Sequence, residues 1–383
     1  MSKYITNLLF FVAIISCAYY NGLNNPIAKI LSAVCFGILA LMAVFQNKQN
    51  SPQTKVFRHW LKWYFVIFFV NSLYGLLNPH TGLFLKFDQE IAIPLVAAFS
   101  SFYLFDLPKD KNHWFLLPMC ALTGAIAVYS VSAGLGGFVI NENSGGLELA
   151  KNQIGAAFDV FAIIAICCAM HNGTKLIYRG LYIGFSILNI YPALFFGCRT
   201  ALLCYFICVL ILIFQEFRWK GIFAIPLIIA LLAVFGGDTI QDMLYSSIVG
   251  ERDATDIDSM TSGRLTHAET SFSYFLSHPL FGFFGSGDGF DLMPPNAHIF
   301  ILFRLTKWGI LGAIPYFVLY FSIFKIAYLG FKERNYLISC VFLLAFIESF
   351  AEYAPPFGPG SCFVPAFVFL GAYMRQCNYN HKL

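Results

Sequence analysis

The chain has 383 residues, of which 58% are hydrophobic and only 11% charged, with a mean hydropathy of +0.70 and a net charge of +4. Charge this sparse, against roughly 25% in an ordinary soluble domain, could not cover the surface of a water-soluble fold of this size. The basic residues are scattered rather than massed on one segment, which argues against a nucleic-acid-binding face. The eleven cysteines have no metal-ligand spacing and fall mostly inside apolar runs, where small apolar packing is the default. Cys198 and Cys362 lie near span ends, and a disulfide between them is left open by the sequence.

Taken in chain order, the apolar runs predict about twelve spans, each near the roughly 20 residues that a bilayer crossing requires. They centre on residues 5–20, 27–45, 60–77, 91–105, 114–133, 154–170, 178–197, 200–214, 221–236, 308–329, 336–353 and 361–375. The first follows Lys3 and contains Ile14-Ile15-Ser16-Cys17, faintly like a lipoprotein cleavage site. With so many spans after it, an uncleaved helix is expected. No internal repeat and no low-complexity linker marks a second domain. The expected fold is an all-α polytopic membrane protein, one membrane domain over residues 1–383.

Orientation follows the positive-inside rule. The termini and even-numbered loops hold sixteen of the 24 Lys and Arg. The odd loops hold six: Lys29, Lys86, Lys151, Arg199, Arg252 and Arg264. Both termini are therefore expected in the cytoplasm, and the long loop, residues 237–295, is expected outside. That loop carries nine carboxylates against two arginines, as a solvated outer segment would.

Within and just after this loop, polar signals are ordered. Thr261 or Ser262 can cap a helix. Leu265, Ala268, Phe272 and Phe275 or Leu276 then recur at helical spacing, with Arg264, His267 and Ser271 on the other side. Pro279 ends the helix, and a helix lying along the membrane surface fits the pattern. The glycines 282, 285, 287 and 289 suit either a flexible loop or close approach to a ligand, without the spacing of a dinucleotide fingerprint. Pro294-Pro295-Asn296 reads as a helix start capped by Asn296, placing His298 in a first turn whose amides favour an anion such as a diphosphate. Arg199 sits in a very short link between two spans, where an isolated arginine more often snorkels. Lys151-Asn152 opens the span after the third outer loop. Asp159 and Glu348 are the best-placed acids inside apolar spans, and structural pairing within the bundle is the simpler account of both.

Several of these segments together resemble the O-antigen ligase and O-antigen polymerase superfamily, bacterial membrane enzymes that handle undecaprenyl-diphosphate-linked glycans. The resemblance rests on Arg199-Thr200-Ala201, Ser262-Gly263-Arg264, His278-Pro279-Leu280-Phe281-Gly282, and His298 followed by Gly309 and Gly312. Ligases of the family carry a His-Asn pair, nine residues, then Gly-x-x-Gly. Here Ile299 stands in the Asn place, with nine residues from Phe300 to Trp308 before Gly309. The resemblance covers roughly residues 199–312 and implies a GT-C-like bundle and glycosyl transfer without cofactor or metal. It implies catalytic roles for Arg199, Arg264 and His298, and substrate contacts at Lys151, Asn152, Arg252, His278, Gly282 and Arg304. The implied partners are an undecaprenyl-diphosphate-linked donor, a lipid-linked repeat or lipid A core sugar as acceptor, membrane lipid, and other polysaccharide-assembly membrane proteins. Ile299 and Ser262-Gly263-Arg264 favour a polymerase of the bacterial inner membrane over a ligase. A lipid-linked glycan flippase is the competing class.

Overall fold

The computed structural model describes residues 3–23, 25–46, 54–78, 81–105, 113–133, 138–141, 146–149, 151–171, 174–217, 263–333, 335–358 and 362–376. Eight helices come first: α1 (Lys3–Leu23), α2 (Pro26–Gln46), α3 (Thr54–Leu77), α4 (Thr81–Leu104), α5 (His113–Ser132), α6 (Lys151–Met170), α7 (Leu176–Phe195) and α8 (Arg199–Phe217). After residues 218–262 follow α9 (Arg264–Ser277), α10 (Gly282–Ser286), a 3₁₀ turn (Phe290–Leu292), α11 (Phe300–Lys332), α12 (Tyr336–Glu348) and α13 (Val364–Gln376). A short antiparallel hairpin, β1 (Phe138–Asn141) with β2 (Gly146–Leu149), pairs Val139 with Glu148 between α5 and α6. Nothing in the hydropathy pattern announced this hairpin.

The helical class agrees with the sequence expectation. Among the described residues six helices, α1, α2, α3, α5, α8 and α11, are long and apolar enough to cross a membrane. Eleven of the twelve expected spans fall on helices. The ninth, 221–236, and the loop up to residue 262, including Arg252, lie outside the described residues. The run over 336–353 is shorter than expected: α12 ends at Glu348 and the chain turns through Ser349–Phe357. All ten described cysteines are free, Cys198 and Cys362 among them.

The centre of the bundle is α6, buried along nearly its whole length from Ile154 to Ile164, as a helix apolar on every side must be. It packs against α7, α8 and α12, and α8 also packs against α12. Asp159 lies within this trio, fully buried, and neither carboxylate oxygen has a hydrogen-bond partner among the described residues. Helices nearer the edge show lipid-type faces: Leu41, Phe45 and Leu76 are largely exposed. A second polar knot ties α3, α4 and α11. Asn71 Nδ2 donates to Asp88 Oδ1 (2.6 Å), and Trp308 Nε1 donates to Asn71 Oδ1 (2.7 Å).

Helix α11 is broken at Gly309, whose φ of 65° and ψ of −178° belong to no helix. The break frees backbone groups at a buried position, where they need partners. The loop after α9 supplies them: Ile310 N–H donates to Pro279 O (2.8 Å) and Leu311 N–H to Leu280 O (3.2 Å). The Tyr74 hydroxyl donates to Trp308 O (3.1 Å). Gly282, itself at φ 62°, faces this break so closely that a Cβ on it would overlap the backbone nitrogen of Gly309, and a Cβ on Gly309 would overlap the carbonyl of Leu280. His278-Pro279-Leu280-Phe281-Gly282 is thus a backbone plug for the broken helix. Gly282 serves this packing rather than opening a flexible loop.

Alanine at Gly282 or Gly309 meets both a disfavoured φ, costing about 1–3 kcal/mol, and a backbone overlap. Alanine at Gly287 meets the φ penalty alone, in open space. Melting of the purified protein in detergent should fall much further for Gly282→Ala and Gly309→Ala than for Gly287→Ala. Equal losses at all three positions would contradict the plug.

Candidate functional site

The plug fixes where α9 lies. Its polar Ser271 is fully buried, while Leu265, Phe272 and Leu276 are exposed, so the apolar stripe faces outward, as it would toward lipid. At the N-terminal end Gly263 adopts a left-handed turn, and Arg264 reaches across to two other elements. Its Nη1 donates to Thr200 Oγ1 at the start of α8 (3.0 Å) and to Ala351 O (2.6 Å). Its Nη2 meets Glu352 Oε1 at 2.7 Å. A guanidinium has five N–H donors, so Nε–H and one Nη2–H have no hydrogen-bond partner among the described residues. The side chain is about one quarter exposed, which leaves an anion a way in.

The other oxygen of Glu352 lies 3.3 Å from His298 Nδ1. One carboxylate therefore joins an arginine from α9 to a histidine from the segment before α11. With Nδ1–H given to the carboxylate, Nε2 of His298 keeps its lone pair. The His298 ring stacks against His267 (centroids 6.1 Å, planes 14° apart), and Tyr353 meets it edge-on at 6.4 Å. Arg264–Glu352 is a charge-assisted pair, only 23% and 13% exposed, in a setting where removing one partner strands the other.

His298 does not sit in a helical first turn, contrary to the sequence expectation. Helix α11 starts at Phe300, behind Ile299 in extended conformation, and no side chain caps it. The amide of Phe300, the first helical residue, donates to Ser349 O (2.9 Å). That bond ties the His298 segment to the turn bearing Glu352, and Tyr320 Oη on Ser349 Oγ (2.6 Å) holds the same turn from within α11.

Of the expected site residues, Arg264 and His298 are brought together, and Arg199 opens α8 beside Thr200. Lys151 and Asn152 open α6, whose Gly155 packs against Cys198 and Ala201, at the same end of the bundle. His278 and Gly282 lie elsewhere, at the far end of α9, about 20 Å along at 1.5 Å per residue. There His278 stacks on Tyr274 (4.5 Å), with Nε2 3.7 Å from Asp288 Oδ2. Arg304 is almost fully buried among the rings of Phe87, Phe300, Phe303, Trp308 and Tyr316, each 4.5–5.4 Å from its guanidinium carbon. Its Nε and Nη1 have no hydrogen-bond partner among the described residues.

Sequence reasoning missed Glu352, because the window over 336–353 absorbed it into a span. Its signal was present: a carboxylate just before Ala354-Pro355-Pro356, where no helix could continue. No protein-family model matches the chain, and no curated protein matches it.

The Tyr274 hydroxyl donates to Asp288 Oδ2 (2.6 Å) and, with Ser286, holds that carboxyl below the usual carboxylate range. Burial, and then the hydrogen bond to Asp288, pushes Tyr274 up to about 12. A depressed carboxyl stabilises the fold above its unfolded pKa, about 4, and this contribution is lost as pH falls through the lower folded value. Between about pH 5 and pH 3, melting of Tyr274→Phe should therefore depend less on pH than melting of the parent. Parallel curves would remove the Tyr274–Asp288 bond from the account.

Proposed function

We propose that the chain is a polysaccharide polymerase of the O-antigen or capsule type. On this reading it crosses the bacterial inner membrane about twelve times in a GT-C-like bundle, with both termini cytoplasmic and residues 237–295 outside. It joins a glycan from an undecaprenyl-diphosphate donor to a lipid-linked repeat on the outer face. The observation that carries the reading is the meeting of Arg264 and His298 on the two oxygens of Glu352, beside the Arg199-Thr200 start of α8. Residues far apart in sequence converge there on one carboxylate, with a guanidinium on one oxygen and an imidazole on the other.

The chemistry follows from that geometry. The acceptor hydroxyl attacks the anomeric carbon of the donor sugar, and the bond from that carbon to the diphosphate oxygen breaks. Negative charge grows on the leaving diphosphate. The Arg264 N–H groups that have no partner among the described residues, with Arg199 from the neighbouring element, meet that charge, and planar forks suit phosphate oxygens. His298 Nε2 takes the proton from the hydroxyl, and Glu352 steadies the resulting imidazolium. The rings of Tyr353 and His267 flank His298.

Two other readings have observations of their own. A ligase to lipid A core would use the same site, but Ile299 supplies no amide beside His298. A flippase would use intramembrane acids, and Asp159 and Glu348 are buried with oxygens that lack partners among the described residues.

The surface-glycan ladder of a deletion strain separates the three. Loss of the ladder with a single repeat retained on core means polymerase, and bare core with lipid-linked polymer accumulating means ligase. Lipid-linked repeats trapped on the cytoplasmic side mean flippase. The intact gene should restore the ladder, whereas Arg264→Lys and His298→Ala, expressed at normal level, should not, because a point charge loses the two-pronged contact. A normal ladder in the deletion strain, or full rescue by Arg264→Lys, would overturn the proposal.

A further inference from the structure

His298 is delivered by a strap, residues 293–299, which opens with Met293-Pro294-Pro295. Proline has no backbone N–H, so at these two positions the strap can be fastened only through its carbonyls. Both carbonyls are taken by buried side chains from different helices. Lys307 Nζ of α11 donates to Pro294 O (2.6 Å), and Ser271 Oγ of α9 donates to Pro295 O (2.9 Å). The neighbouring Thr306 hydroxyl donates to Ser271 O (3.1 Å), closing the stitch between α9 and α11. Lys307, Thr306 and Ser271 are all fully buried.

A lysine is a costly way to fill that space. Among the described residues its amine has one hydrogen-bond acceptor, Pro294 O, and it also lies over the Phe283 ring at 5.5 Å. Methionine would pack the same volume without a buried polar head to satisfy. What lysine adds is the grip on the strap. The far end of the strap is held separately, by Phe300 N–H on Ser349 O. Between these holds the His298 ring meets Glu352, His267 and Tyr353.

We propose that Lys307 and Ser271 are positioning residues for His298, acting on it through the carbonyls of the proline pair. They set the distance between His298 and Glu352 and the stacking of His298 on His267. They touch neither donor nor acceptor. The inference rests on His298 serving in transfer, and its first readout does not depend on that premise.

The test uses the full-length protein in detergent, with Lys307→Met and Ser271→Ala. Diethyl pyrocarbonate modification of His298 is followed by peptide mass spectrometry, with exposed His171 as internal standard. Both substitutions should raise the His298 rate several-fold and leave His171 unchanged, with melting still cooperative. In glycan extension from purified lipid-linked repeats, kcat should fall about tenfold or more for Lys307→Met, because a small misplacement of a reacting group is costly, while KM for the donor stays near its original value. If Lys307→Met does not fold, Ser271→Ala removes a single hydroxyl and carries the same test. Unchanged His298 reactivity in folded variants would overturn the proposal. Raised reactivity with undiminished kcat would show a strap fastened without consequence for transfer, which also overturns it. If His298→Ala also extends glycan normally, the proposed function of His298 fails instead.

Discussion

A helix broken inside a membrane leaves amides and carbonyls that water cannot satisfy, and each unsatisfied group costs several kcal/mol. The break of α11 at Gly309 imposes that constraint here, and much of the surrounding structure answers it. Pro279 and Leu280 give their carbonyls to Ile310 and Leu311, and Tyr74 caps Trp308 from α3. For these bonds to form, the loop backbone must come within contact of the helix backbone, which two left-handed glycines permit. The plug then fixes the end of α9. With α9 fixed, Arg264 is carried to the opposite end of that helix, against α8 and the turn after α12.

The candidate site is therefore assembled from elements that are each fixed elsewhere. Glu352 stands on a turn tied down by Phe300 and Tyr320, His298 on a strap gripped through its prolines, and Arg264 on a helix stitched through Ser271. Such an arrangement pre-organises charge at little reorganisation cost when a ligand arrives. It also separates the two parts of the motif-bearing stretch: His278 and Gly282 build the plug, while Arg264 and His298 reach the site.

Hydropathy alone was enough to place helices, since a run of some 20 apolar residues has few other fates. It failed where tertiary partners replace local ones. Asn296 has the chemistry of a cap, yet α11 starts only at Phe300, behind an extended Ile299, and the Phe300 amide finds its partner in Ser349 O from another element. Glu352 was hidden because a hydropathy window averages one carboxylate into its apolar neighbours, and the helix end at Glu348 is set by the turn that follows. The close backbone approach of Gly282 to Gly309 could be suspected from the glycines but not paired, because pairing is a long-range property. Arg264 and His298 were legible as chemistry, and their meeting on one carboxylate was not.

The central claim is that Arg264, Glu352 and His298 work as one unit, and a double-mutant cycle between Glu352→Gln and His298→Ala measures this most directly. Glycan extension from purified lipid-linked repeats supplies the rates, with melting recorded for every variant. Groups acting as a unit are strongly non-additive, so the double variant should be scarcely slower than His298→Ala alone. If the two losses multiply, Glu352 and His298 act independently, and the account of the site is wrong.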